Sequence, residues 1–380
     1  METKERLYEL DWLRVIAFFL LIFFHTGMFF VPWDFHFKNS QTSELFELWM
    51  TPLNQFRLPL LFIISGIGSY FVLSHRTIGG FFKERSVRLL IPLTFGMFVI
   101  VPPQMYFEYQ FKGANYSSYF EFYKKVLEFI PYPKGSFSWH HLWYIIYIFV
   151  YSVAALPLLK YLRSNSSERV KKSMLDFFSK RNMIYLAVLP PLVVYYSLAW
   201  QFPTTHALWG DWYNLTYSFI FFLYGIIIIS VKGLWDIIEQ QRKVSLVIAA
   251  IPFSFLWLFV WGPTFEIMPE EGITFFIIYG ALKNIFLISW VFTIFGYSRK
   301  FFVKSNKLLI YSTEAVYPLY ILHQTVMITL GYYIIQMQLS ILVKFVLVVV
   351  STYGGSLLVY ELLIKRIGFM RVLFGMKTKA

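Results

Sequence analysis

The chain contains no cysteine. Disulfide-stapled loops, thiol nucleophiles and thiolate metal sites are therefore all excluded. Charge is nearly as scarce: 14% of the 380 residues are Asp, Glu, Lys or Arg, against roughly a quarter in an ordinary soluble domain. No internal repeat and no low-complexity linker interrupts the chain, so it reads as a single domain over residues 1–380. A cleavable leader is not expected either. Lys4 and Arg6 precede an apolar run, but that run is too long for a signal peptide and no small-residue cleavage site follows Val31-Pro32-Trp33.

What the chain does have is apolar surface in long blocks. Hydrophobic residues make up 58% of it and the mean hydropathy is +0.57. An α-helix needs about 20 apolar residues to cross the hydrocarbon core. Ten segments meet that length, near residues 12–31, 51–74, 89–108, 140–159, 182–201, 212–231, 244–261, 273–296, 308–330 and 339–363. The expected fold class is all-α, a polytopic membrane bundle of about ten transmembrane helices. Aromatic residues reach 22%, and many, Trp12, Trp33, Trp139 and Trp212 among them, fall at span ends as interfacial belts.

The formal net charge of +13 could suggest nucleic acid, but its distribution points to a membrane. Counting Lys and Arg on alternate connections from the N-terminus gives 26 on one side and 5 on the other. That asymmetry is the positive-inside pattern, and it predicts cytoplasmic N- and C-termini. Anionic lipid headgroups, not nucleic acid, are the expected partner of the basic face. Two connections are long. Residues 109–138 form the largest expected extracytoplasmic loop, with an amphipathic stretch from Tyr119 to Ile130. Residues 160–181 form a basic cytoplasmic loop, read as a solvated, lipid-facing surface.

Ionisable residues inside apolar spans are costly and mark candidate sites. They are few: Arg14, His25, Arg57, Lys283, Glu314, His323 and Lys344. Lys344 lies near a span end and is expected to snorkel; nothing assigns Lys283 a role. Arg14 and His25 are eleven positions apart, which at 100° per residue returns to the same helix face after a rise of about 16 Å. Arg14 then stands at the cytoplasmic edge and His25 within the outer half. Arg57, beside Asn54 and Gln55, and His323 on the ninth span reach a comparable depth. Arg85 and Arg88, at i and i+3, share a face and make a clamp suited to phosphate. Blander readings exist for each: an anchor paired with Asp11 for Arg14, a packing histidine for His25, snorkelling for Arg57, topology markers for Arg85 and Arg88. A neutral imidazole can accept a hydroxyl proton at physiological pH, which gives His25 its chemical interest.

These residues carry a resemblance. The chain resembles the membrane acyltransferase-3 family in Leu-Asp11-Trp-Leu-Arg14 with the Arg14-x10-His25 spacing, Pro-Leu-Leu-Phe-Ile-Ile-Ser65-Gly66, Arg85-x2-Arg88-Leu-Leu-Ile-Pro92, His141-Leu-Trp143-Tyr and Tyr317-Pro-Leu-Tyr-Ile-Leu-His323. Their order runs along the whole chain. Within the family it looks most like the branch that succinylates periplasmic glucans, without the extra C-terminal soluble domain of some relatives. The resemblance implies transfer of an acetyl or succinyl group from cytoplasmic acyl-CoA, as co-substrate, to a hydroxyl of an extracytoplasmic carbohydrate, at a bacterial inner membrane. It implies His25 and Arg14 as catalytic residues and Arg85 and Arg88 as CoA-phosphate contacts. Arg57 or His323 would place or polarise the thioester carbonyl, and no metal is expected. His25 acts on this reading as general base or transient acyl carrier. A secondary transporter of a small polar or anionic solute is the alternative, although no paired set of broken helices supports it. A scaffold protein would have no need of His25 and Arg57 at one depth. The other large class of polytopic acyltransferases does not account for a histidine so spaced from Arg14.

Overall fold

The computed structural model describes residues 6–262 and 272–377. Most of the expected connection 262–272 lies outside these residues, as does Lys4. Apart from a single 3₁₀ turn at Asn165–Ser167, thirteen helical elements order the described residues, and none of these residues forms a β-strand. They are α1 (Tyr8–Gly27), α2 (Glu44–Ser74), α3 (Ile78–Phe111), α4 (Tyr119–Val126), α5 (His140–Ala154 continued by Leu156–Leu162), α6 (Glu168–Phe178), α7 (Met183–Leu198), α8 (Trp212–Ser230), α9 (Leu234–Trp261), α10 (Ile273–Phe301), α11 (Lys307–Ile334), α12 (Ile341–Ile364) and α13 (Gly368–Leu373).

Seven of these helices, α1, α2, α3, α8, α9, α10 and α12, are long and apolar enough to cross a membrane. An eighth is added if α5, bent by 53° at its break, counts as one span. Two of the ten expected segments stand apart. The apolar α7 is shorter, 16 residues from Met183 to Leu198. The 28-residue α11 is diluted by Glu314, His323, Gln324 and several tyrosines.

The chain divides into two compact units. Unit 1 draws on Met1–Ala17, Thr51–Phe81 and Val150–Leu309; unit 2 draws on Phe18–Met50, Phe82–Phe149 and Ile310–Ala380. The core of unit 1 is built on Phe62, Tyr151, Phe221, Phe222, Phe286 and Phe295, all fully buried or nearly so. In it α9 and α10 pack along their length. They run antiparallel, because Glu239 meets Arg299 (3.1 Å) near one end while the Phe253 and Phe286 rings meet further along, 5.6 Å between centroids. The end of α2 would leave its last carbonyls without partners. Arg163 donates to two of them, Leu73 O at 2.6 Å and Ser74 O at 3.3 Å, which gives one basic residue of the 160–181 loop a local structural task.

Small residues let α2 and α8 meet backbone to backbone. A Cβ at Gly66 would lie 2.0 Å from Phe222 O, and one at Gly225 would lie 2.0 Å from Ile63 O. Close approach of this kind is how helices associate without a hydrophobic drive from water. Gly225→Leu is accordingly expected to destabilise the fold by about 1–3 kcal/mol or more, seen as a lower Tm of the purified protein. Gly354→Ala, where a Cβ meets nothing within 4 Å, should leave Tm unchanged or slightly raised. Equal Tm values for Gly225→Leu and wild type would refute the close crossing.

Unit 2 carries the polar residues that matter below. Its core includes Phe29, Phe30, Phe122, Leu142, Ile145 and Tyr360. In α3 the regular ladder is interrupted by π turns at Ser86–Leu90 and Gly96–Ile100, each followed within two residues by a proline. Proline has no N–H and so leaves a carbonyl upstream unsatisfied. Pro92 would orphan Arg88 O, and the Tyr317 hydroxyl of α11 donates to it at 3.1 Å. Near the second break, Gln104 N–H donates to Val101 O, and Ile100 O instead accepts from the Thr325 hydroxyl at 2.5 Å. Two backbone defects in α3 thus become attachment points for α11. The amphipathic stretch of the 109–138 loop forms α4, whose Ser118 cap accepts from Glu121 N–H at 3.2 Å.

Candidate active site

Within unit 2 the ends of α1 and the middle of α11 bring two histidines together. His25 Nδ1 lies 3.0 Å from His323 Nε2, with the rings nearly parallel at 14°. His323 is fully buried, and Phe18 closes one side of it edge-on with 5.9 Å between ring centroids. Its other nitrogen, Nδ1, faces Tyr320 O at 2.6 Å. A carbonyl only accepts, so neutral His323 holds its proton on Nδ1 and offers a lone pair at Nε2. His25 must then donate from Nδ1, which leaves its own lone pair on Nε2. Two neighbouring groups therefore fix the tautomer of His25, with the base nitrogen at Nε2.

A second polar group surrounds this pair in the same unit. His141, from the start of α5, sets its ring edge-on to His323 with centroids 5.2 Å apart, and donates from Nε2 to Ile321 O at 3.0 Å. Its backbone carbonyl accepts from the Tyr320 hydroxyl. Gln104 of α3 donates to Thr325 Oγ1 at 2.7 Å and to His141 Nδ1 at 3.4 Å. Gln324 donates to Gln104 Oε1 at 3.3 Å and to His36 Nε2 at 3.1 Å. His36 Nδ1 meets Glu108 Oε2 at 2.6 Å, and Glu108 Oε1 accepts from Lys112 and, at 3.2 Å, from Tyr132. Gln104 and Glu108 are wholly buried, and His36, His141 and Gln324 nearly so. Unsatisfied, such groups would each cost about 1–3 kcal/mol; here they satisfy one another.

Of this second group, sequence reasoning reached only His141 and Tyr320, each as part of a motif. A signal existed for three more. Gln104, Glu108 and Lys112 recur every four residues, one face of a helix. No set of three or more His, Asp or Glu side chains among the described residues is arranged to hold a metal.

The arginines are distributed differently. Arg85 and Arg88 lie in unit 2 on successive turns of α3, and both stand 3.7 Å from Glu84. Arg85 is buried while Arg88 is half exposed. Arg88 also anchors α11 through its carbonyl, so the Arg85-x2-Arg88 and Tyr317-to-His323 segments meet in one place. Arg14 is in unit 1, with its guanidinium 3.6 Å from Asp11. It shares α1 with His25. Arg57 is also in unit 1, buried, near the 202–211 connection. There Asp211 accepts from Thr205 N–H (2.8 Å), His206 N–H (3.1 Å) and Asn214 Nδ2 (2.8 Å). Burial holds His206 below its ordinary pKa; Asp211 opposes that shift and Arg57 adds to it.

Two lysines differ from or extend their sequence reading. Lys344 does not snorkel: it is 5% exposed and donates to Asn39 Oδ1 at 2.8 Å and Ile335 O at 2.7 Å. The sequence could not place Asn39, 305 residues earlier, beside it. Lys283 lies over the rings of Tyr195 and Tyr279, at 5.7 and 5.8 Å from their centroids, a cation–π setting.

No solved structure matches the chain. Among curated proteins it is similar to glucans biosynthesis protein C of Escherichia coli O157:H7, at 22% identity over 391 residues, 98% of this chain and 95% of that protein. Proteins of the same name from Escherichia coli O6:K15:H31 (strain 536) and Shigella dysenteriae serotype 1 are 23% identical over 48% of this chain. In those two alignments the chain spans about half, 47%, of the relative's length. The acyltransferase-3 family model, described as an acyltransferase domain, matches residues 7–361, and this chain, with its set of apolar helices, belongs to that family of acyltransferases.

Proposed function

We propose that the protein moves an acetyl or succinyl group from cytoplasmic acyl-CoA to a hydroxyl of an extracytoplasmic glycan. The acceptor class follows the glucan-biosynthesis name of its relatives. In this reading ten segments cross a bacterial inner membrane, both termini are cytoplasmic, and the basic connections face anionic lipid. The observation that carries the chemistry is the His25–His323 pair, whose hydrogen bonds leave a lone pair on His25 Nε2.

The transfer then proceeds with atoms balanced. His25 Nε2 takes the proton of the acceptor hydroxyl as its oxygen attacks the thioester carbonyl. The carbon–sulfur bond breaks, and the proton passes to the departing CoA thiolate. As His25 gains positive charge, His323 accepts from its Nδ1–H and holds the ring in place, a third group orienting the base. Arg85 and Arg88, in the same unit as His25, supply positive charge to the anionic donor. The Arg88–Glu84 contact does not oppose this. An exposed ion pair contributes roughly 0–1 kcal/mol, so phosphate can displace Glu84 from Arg88.

The purified protein, incubated with labelled acetyl-CoA and succinyl-CoA and a β-glucan oligosaccharide, is expected to yield an acylated glucan detected by mass spectrometry. Release of free CoA without glucan acylation, or no consumption of either donor, would contradict the reading.

A further inference from the structure

The buried group around the histidine pair has a property that its individual distances do not reveal: its hydrogen bonds have one direction only. Tyr320 O, Ile321 O and Ile100 O are carbonyls and can only accept. Ionised Glu108 likewise only accepts, from His36, Lys112 and Tyr132. His36 therefore carries its proton on Nδ1 and accepts at Nε2, which matches the Gln324 amide donating there. Gln324 gives its second hydrogen to Gln104 Oε1, and Gln104 gives both of its own to Thr325 and His141. His141, donating from Nε2, has its acceptor at Nδ1, where Gln104 arrives. Every member is satisfied with all the histidines neutral and Glu108 charged. Turning any one of them round would set donor against donor or acceptor against acceptor.

Besides the Tyr317 and Tyr320 hydroxyls, the turn of α11 around His323 is attached through Ile321 O, Gln324 and Thr325. Ile321, Gln324 and Thr325 stand at i, i+3 and i+4 and so share one face, and bonds at three points along that face hold both the rotation and the height of the turn. His323 Nε2 must meet His25 Nδ1 at 3.0 Å, and a misplacement of about 1 Å in a reacting array can cost up to about 10²-fold in rate. We propose that Glu108 and His36, acting through Gln324, are positioning residues for the histidine pair. The buried carboxylate sets the direction of the chain, and the chain holds α11 in the register that keeps His25 in its Nδ1–H tautomer. This rests on the acyl-transfer reading and deepens it. Neither residue touches the reacting atoms.

Three substitutions separate this role from simple stability. His36→Leu keeps bulk but removes both bonds. His36→Gln keeps one donor and one acceptor but cannot titrate. Gln324→Met cuts the next link and leaves the Glu108–His36 pair intact, so no carboxylate is stranded if His36→Leu fails to fold. The assay is single-turnover transfer from radiolabelled acetyl-CoA and succinyl-CoA to a β-glucan oligosaccharide by the full-length protein. His36→Leu and Gln324→Met are expected to lower kcat about tenfold to a hundredfold with KM for the donor unchanged. His36→Gln should stay within about threefold of wild type. Nitrogen-labelled histidine NMR of the same proteins should show Nδ1-protonated His25 in wild type and His36→Gln, and a mixture of tautomers in Gln324→Met. Wild-type kcat in Gln324→Met, or His36→Gln as slow as His36→Leu, would overturn the proposal. If wild type transfers from neither donor, or His25→Ala transfers normally, it is the underlying acyl-transfer reading that fails.

Discussion

His25→Ala is expected to transfer acyl groups about 10²–10⁴-fold more slowly than wild type, the usual loss when a general base is removed. The protein should still insert, purify as a folded species and bind acyl-CoA. His25 is only part-buried at the end of α1, so truncation removes little buried surface. His323→Ala should be milder. His25 would keep a titratable ring but lose the acceptor that holds its proton on Nδ1, so part of the population would present the wrong nitrogen. Single-turnover rates at equal folded concentration measure both. Near-normal transfer by His25→Ala would end the mechanism while leaving the fold and family untouched.

The second large effect belongs to the donor. Removing both guanidinium groups in Arg85→Ala/Arg88→Ala should weaken acyl-CoA binding by about 10²–10⁴-fold, because each charge-assisted hydrogen bond is worth about 1.5–3 kcal/mol and each 1.4 kcal/mol is tenfold in Kd. Calorimetric titration with acetyl-CoA and succinyl-CoA reads this directly. The pair of lysine replacements should fall between, since an ammonium keeps the charge but not the planar fork that grips phosphate. Unchanged affinity in the double alanine protein would return both arginines to the status of topology markers. Arg88 has a further role that survives the substitution, because its link to α11 runs through its backbone carbonyl.

How far the sequence reached can be seen at individual residues. The all-helical class was legible because apolar runs of about 20 residues have few other physical outcomes. The interruptions were less so. The bend in α5 falls at Ala155, just before Pro157, and the short α7 begins as a 3₁₀ turn before Pro190 and Pro191. Hydropathy weights these prolines like any other residue and does not register a broken ladder. His25 and His323 were legible because an ionisable group inside an apolar run is rare. Their mutual contact was not, since 298 positions separate them. Glu108 sat at the edge of its run and His36 in a connection, so neither counted as intramembrane. Gln104 carries no charge and was never a candidate. Only the fold brings residues 36, 104, 108, 141 and 324 into one hydrogen-bonded group. Lys344 shows the opposite error: a position near a helix end suggested escape to water, and the partner that made burial affordable lay in another segment.

On the proposed reading, donor and acceptor meet in one protein from opposite sides of a membrane. Proteoliposomes with a β-glucan oligosaccharide trapped in the lumen and radiolabelled acetyl-CoA or succinyl-CoA supplied only outside test it most directly. Wild-type protein is expected to label the trapped glucan, and His25→Ala to leave it unlabelled. Label that appears only when donor and acceptor share a compartment would contradict it.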